Sequence, residues 1–206
     1  MNGANDILDY WNGAPPFDAA RLAERSSFWF GGDGAAATAA RDADIREKLG
    51  PLLERALRGE FDSWAGSPRR RLALIILFDQ VPRNISRGTA AAFAHDDRAL
   101  ALSVEGLQLA ADQVLQPLER LFFYLPLEHA ESIEAQDVGV SSMERLLEQT
   151  PGELRDFIAS TLGYARKHQE VIAKFGRFPY RNKVLGRADT PAEKEWLASG
   201  AERFGQ

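Results

Sequence analysis

Three hydroxyl-proline dipeptides, Ser67-Pro68, Thr150-Pro151 and Thr190-Pro191, constrain the fold of this chain more than any other feature. A hydroxyl side chain accepts from the free N–H groups at a helix start, and proline suits the first helical position because its missing N–H has no partner to lose there. Glu153 follows Thr150 and Glu193 follows Thr190 at three residues, which makes each pair a capping box. Apolar residues also recur at the helical period. Ile45, Leu49, Leu52, Leu53, Ala56 and Leu57 form one stripe, and Leu154, Phe157, Ile158, Leu162, Ala165 and Val171 form another. Further helices are predicted over 4–11, 19–27, 68–79, 97–112, 117–124 and 127–149, the last interrupted near Gly139. The glycine-rich segment Gly31 to Ala37 reads as a loop. Strand alternation is hardly found. Short connections between amphipathic helices favour antiparallel neighbours, so the predicted fold is all-α, with antiparallel helical hairpins packed as a bundle or short array. At 206 residues and 45% hydrophobic, the chain reads as a single helical domain over 1–206.

Charge narrows the partners. With 25 basic and 30 acidic residues the net charge is −5, which argues against a general nucleic-acid or membrane-surface binder, since those partners demand a broad positive field. There is no cysteine, so disulfides, thiolate nucleophiles and cysteine metal sites are excluded. The opening MNGANDILDYWNG lacks the basic and apolar regions of a signal peptide, and the run Leu72 to Phe78 is far short of the roughly 20 apolar residues of a membrane span. A cytoplasmic location is the expectation.

One sequence is written nearly twice. FDQVPRN at Phe78–Asn84 and FGRFPYRN at Phe175–Asn182 each place an apolar residue before proline and end on arginine-asparagine. Proline should stop the first helix near Phe78 and deliver Arg83 and Asn84 to its end, with Arg87 beyond; the second copy delivers Arg181 and Asn182, with Arg177 and Arg187 nearby. Between them, PLEHAESIEAQ supplies Glu128, His129, Glu131, Glu134 and Gln136. The stretches FDQVPRNISRGTAAAFAHDDRAL, FFYLPLEHAESIEAQ and KFGRFPYRNKVLGRADTPAEKEWL resemble the signature blocks of an uncharacterised, mostly bacterial family known as domain of unknown function 924. The resemblance runs from about Arg71 to Leu197, with an echo at Phe28-Trp29-Phe30, and implies an all-helical fold of the tetratricopeptide-like superfamily. It implies no activity. It also leads one to expect histidine where this chain has Tyr180.

Three functional expectations follow from the residues. Guanidinium groups bind carboxylate or phosphate through paired hydrogen bonds, so Arg83, Arg87, Arg177 and Arg181, with Asn84, Asn182, Glu128 and Gln136, form a candidate binding site for a small anionic ligand or an acidic peptide. Residues 166–187 support this, carrying seven basic residues against one acid. The alternative is a hydrolase or transferase acting on an anionic substrate, with His129 or Glu131 as base. The third is a scaffold in which arginines and glutamates pair internally. No metal is expected, because His129 has no ligating residue three or four positions away, and Pro126 would place it in a first helical turn. No cofactor is expected either: Gly32 and Gly34 lack the strand and third glycine of a dinucleotide loop. His168, in the charged run RKHQE, reads as solvent-exposed.

Overall fold

The computed structural model describes residues 3–13, 17–32 and 34–200, so Asp33 of the glycine-rich loop and the segment 201–206 lie outside it. The fold is all-α, with no strand among the described residues. In chain order the helices are α1 (Ala4–Asn12), α2 (Ala19–Phe30), α3 (Ala35–Leu57), α4 (Pro68–Ile75), α5 (Val81–Ile85), α6 (Asp96–Gln108), α7 (Pro117–His129), α8 (Ile133–Gln149), α9 (Glu153–Phe175) and α10 (Pro191–Ala198). Short 3₁₀ turns lie at Asp62–Gly66, Ala90–Phe93, Ala111–Val114 and Pro179–Arg181.

Two stretches form the interior. Every residue from 71 to 84 and from 118 to 128 is buried, as expected for helices with no consistent polar face. Around α7 pack α4, α6, α8 and α9, while α1 covers α4, α3 covers α5 and α2 reaches α9. The aromatic residues that come in sequence runs close this core edge-to-face. Trp29 meets Phe122 with ring centroids 4.9 Å apart, and Trp11 meets Phe122 at 5.9 Å.

The doubled motif behaves differently from the expected helix stop. Helix α4 does not end at Phe78 but widens into a π-helical turn over Ile76–Gln80 and continues as α5 through Pro82. Val81 N–H donates to the Ile76 carbonyl, five residues back, which gives the proline ring room that a regular α-turn would deny it. The motif's own polar side chains then serve the carbonyls of that turn: Arg83 Nη1 donates to the Asp79 carbonyl at 2.6 Å, and Asn84 Nδ2 to the Gln80 carbonyl at 2.9 Å.

Other boundaries also moved. Thr150 does not cap the next helix; its hydroxyl donates to the Leu146 carbonyl at 2.7 Å and closes α8, while α9 starts at Glu153. Glu153, expected to complete that capping box, instead accepts from Ala19 N–H at the start of α2. Ser67 occupies the cap of α4 without a side-chain bond, whereas Thr190 and Glu193 make the expected box. The chain turns at 130–132, not at Gly139. A β-carbon on Gly139 would lie 3.0 Å from the Leu127 β-carbon, so this glycine permits close packing of α8 on α7. Residues 35–37 of the expected loop open α3. Among the described residues no helix is long and apolar enough to cross a membrane.

Candidate functional site

The π turn aims Asp79 and Gln80 toward the last turn of α7, where Glu128 and His129 lie. Pro126 is inside α7 and His129 is its last residue, so the expected first-turn placement of His129 is reversed. A cavity of about 570 Å³ opens at this junction. Its polar wall carries Gln80, Arg83, Asn84, Glu128, His129 and His168, with Arg87 beside them. Trp29, Phe30, Leu125, Phe157 and Tyr164 supply the apolar wall.

At the centre is an Asp–His pair. Asp79 is fully buried, and its Oδ1 lies 2.7 Å from His129 Nδ1. Asp79 Oδ2 also accepts from Gln80 Nε2 at 2.5 Å. Burial works to raise the Asp79 carboxyl, but Arg83 and His129 overcome it and hold it below the usual carboxylate range. Asp79 is therefore ionised and fixes the tautomer, with Nδ1–H of His129 as donor and Nε2 as the nitrogen left with a lone pair. The His129 side chain keeps 14% of its surface open. Burial and the Arg83 charge lower its proton affinity below the ordinary histidine value, against the pull of Asp79.

Glu128 is the opposite case. Burial, helped by the Asp79 charge, pushes its carboxyl up to about 8, so it carries a proton at neutral pH. His168, expected to be exposed, is only 4% exposed and lies with Nδ1 3.0 Å from Glu128 Oε1. The same nitrogen is 2.9 Å from the Tyr164 carbonyl, an acceptor only, which makes Nδ1 the protonated nitrogen. Burial holds His168 down to about 3, so its contact with Glu128 joins two uncharged groups. The neighbouring rings of His129 and His168 are 6.4 Å apart.

The arginines are paired within the chain. Arg83 binds the Asp96 carboxylate side-on, Nη1 to Oδ1 at 2.8 Å and Nη2 to Oδ2 at 2.8 Å, and touches Asp79 Oδ1 at 3.1 Å. Arg87 holds Asp42 through Nε at 3.0 Å and Nη2 at 3.1 Å, and donates to Asn84 Oδ1 at 3.2 Å. Arg181, buried and lying over the rings of Phe93 and Phe178, reaches Asp96 Oδ2 at 3.3 Å. The two motif copies thus do converge, on a carboxylate of the chain itself.

Of the site residues expected from the sequence, Arg83, Asn84, Arg87, Glu128 and His129 line the cavity, and Glu131, Gln136, Arg177, Arg181 and Asn182 do not. Arg177 grips Glu193 at 2.7 and 2.8 Å, and Asn182 donates to Asp189 at 2.7 Å. Glu131 accepts from Arg187 at 2.6 and 2.9 Å and from Phe178 N–H at 2.8 Å, which holds its carboxyl low despite burial and keeps it away from the base position. Gln136 spans the α7–α8 turn, donating to the Glu128 and Ala130 carbonyls at 2.6 and 2.9 Å. His168 was missed, although its spacing was informative. It extends the buried stripe Ile158, Thr161, Ala165 of α9 at helical period, a stronger signal than its charged sequence neighbours. Among the described residues no cluster of three or more histidine, aspartate or glutamate side chains is arranged to hold a metal.

Residues 7–201 match the family described as bacterial protein of unknown function (DUF924). The solved structure of a protein of unknown function from Agrobacterium tumefaciens is similar, with 35% sequence identity, a TM-score of 0.76, and coverage of 96% of this chain and 97% of that one. No curated protein matches the chain. With nearly its whole length inside the family match, this chain belongs to the DUF924 family of bacterial proteins of unknown function.

Proposed function

We propose that this protein is an acid–base enzyme for a small, partly apolar molecule, with His129 as general base, Asp79 as the group that orients it and Glu128 as the proton donor. The observation that carries this reading is the 2.7 Å Asp79–His129 pair, with His129 on the wall of a cavity large enough for a small molecule and Asp79 buried behind it. A buried carboxylate on Nδ1 leaves Nε2 as acceptor, the arrangement a base needs to take a proton from water or substrate. Glu128 adds the complementary form. Two neighbouring groups pushed apart in proton affinity, one ready to accept and one ready to give, are the signature of paired acid–base roles.

Charge bears on the substrate. Arg83 and Arg87 each already hold a carboxylate through two nitrogens, so an incoming anion would have to displace Asp96 or Asp42. The opposite wall of Trp29, Phe157 and Tyr164 suits an apolar or aromatic body. A substrate with an uncharged reacting group fits both conditions.

The test is a hydrolysis and proton-exchange screen over neutral esters, amides and lactones, with carboxylate and phosphate compounds alongside, run across pH. The expected rate rises as His129 loses its proton, below its ordinary 6.5, and falls as Glu128 ionises near 8. His129→Gln should cost about 10² to 10⁴ in rate with binding kept. The second reading, a binding module for an anionic ligand, is favoured by the presence of Arg83 and Arg87 on the cavity wall. Anion occupancy by native mass spectrometry that survives His129→Gln, with no turnover in the screen, would replace the enzyme reading with it.

A further inference from the structure

Asp96 belongs to neither motif copy and does not line the cavity, yet it connects both copies to the base. The connection is a chain of contacts in alternating charge: Arg181 Nη1 to Asp96 Oδ2 at 3.3 Å, Asp96 to Arg83 at 2.8 and 2.8 Å, Arg83 Nη1 to Asp79 Oδ1 at 3.1 Å, and Asp79 Oδ1 to His129 Nδ1 at 2.7 Å. Arg83 and His129 therefore share one oxygen of Asp79. An arginine with no other carboxylate would take Asp79 in the two-pronged geometry that guanidinium prefers, and compete with the imidazole. Asp96 supplies the side-on partner instead, so Arg83 meets Asp79 with one nitrogen only. Arg181 is held in turn by aromatic faces, its guanidinium carbon 4.5 Å from the Phe93 ring centre and 4.4 Å from that of Phe178.

We infer that Asp96 is a positioning residue of the Asp79–His129 pair and that Arg181 tunes it: Asp96 draws Arg83 away from Asp79, and Arg181, from the second motif copy, partly neutralises Asp96. The inference deepens the proposed function, since it takes His129 as the base. It also gives the doubled sequence a division of labour. The first copy shapes the π turn that presents Asp79, and the second sets the electrostatics of that aspartate from about a hundred residues further along the chain.

The charged and titratable groups that face His129 are Asp79 and Arg83 from the π turn and α5, Asp96 from α6, Glu128 from α7 itself and His168 from α9. Asp96→Asn and Arg181→Met leave Asp79, Arg83, Glu128 and His168 unsubstituted. Asp96→Asn keeps shape and deletes the negative charge, so Arg83 acts on Asp79 and His129 without compensation and the His129 proton affinity falls. Arg181→Met keeps a long side chain on the Phe93 and Phe178 rings and deletes the positive charge, so Asp96 screens Arg83 more strongly and the His129 proton affinity rises. The chain has three histidines, so imidazole NMR titration can follow His129 directly, with His129→Gln identifying its signal.

Shifts of opposite sign, each about half a pH unit or more, are the expected result. Shifts of the same sign, or none in either variant, would overturn the inference. Should Arg181→Met fail to fold, Asp96→Asn decides alone, because its side chain is 19% exposed and the substitution is isosteric; a rise or no change there overturns it. The titration needs no turnover. A silent substrate screen with opposite shifts would sink the enzyme reading and leave the coupling standing, while turnover with unmoved His129 would do the reverse.

Discussion

Glu128 is the residue at which stability and the proposed chemistry conflict. In the unfolded chain its carboxyl titrates near 4.5, and in the folded protein near 8, so between these values the folded state binds one proton more than the unfolded state. Stability contributed at this position is present below 4.5 and is lost as pH rises toward 8. Glu128→Gln removes that dependence. Urea unfolding of the two proteins should therefore show a stability difference that shifts in favour of the variant as pH rises from 4.5 to about 8, by on the order of 5 kcal/mol, and then levels off. A difference constant over that window would mean that Glu128 ionises normally in the folded protein. His168 runs the other way: its folded value of about 3 lies below the ordinary 6.5, so its contribution is present above 6.5 and lost as pH falls through that range. At this scale the sequence was partly legible. Histidine beside glutamate marked position 129 as chemically equipped, but neither the Asp79 contact, from 50 residues away, nor the burial that protonates Glu128 leaves a trace in local composition.

At the scale of elements, the interior helices were readable by type and misread at their ends. Residues 71–84 and 118–128 are apolar enough to be helical and buried, yet whether a proline ends a helix or widens it depends on how the backbone before it pairs. Here Val81 N–H reaches the Ile76 carbonyl in a π turn, Arg83 and Asn84 bond the Asp79 and Gln80 carbonyls, and the helix continues. The same dependence on neighbours explains Thr150, whose hydroxyl finds the Leu146 carbonyl behind it before any N–H ahead. Close approach between elements gives a further prediction. A β-carbon at Gly106 in α6 would lie 2.4 Å from Phe123 Cζ of α7 and 2.9 Å from Arg71 Cδ of α4. Alanine improves helix propensity by up to about 1 kcal/mol over glycine, but overpacking against a fully buried ring costs about 1 to 3 kcal/mol. Gly106→Ala should therefore lower the melting temperature, and a rise would show that α6 can shift away from α7 freely.

At the scale of the whole molecule, the described residues form one large core and one small satellite. The large core spans α1 to α9, whereas Val171, Ile172 and Phe178 form a separate cluster with Trp196 of α10 packed at its edge. Beyond that cluster, α10 is tied chiefly by the side-on Arg177–Glu193 pair and its capping box. Hydrogen exchange by mass spectrometry should show α10 opening far faster than the buried stretch 71–84, because fewer apolar contacts are broken in doing so. Equal protection in the two would mean that the satellite unfolds only with the main core. By itself the sequence determined the all-α class, most helix cores and the presence of arginine, amide and carboxylate groups in three blocks. These follow from spacing within a few residues, where periodicity and capping act. Only the tertiary structure decided that the arginines meet the chain's own aspartates, and that Asp79 backs His129 on the wall of a cavity. Those facts depend on which helix faces which, and the energy of a charge depends on the partners and the solvent that the fold leaves beside it.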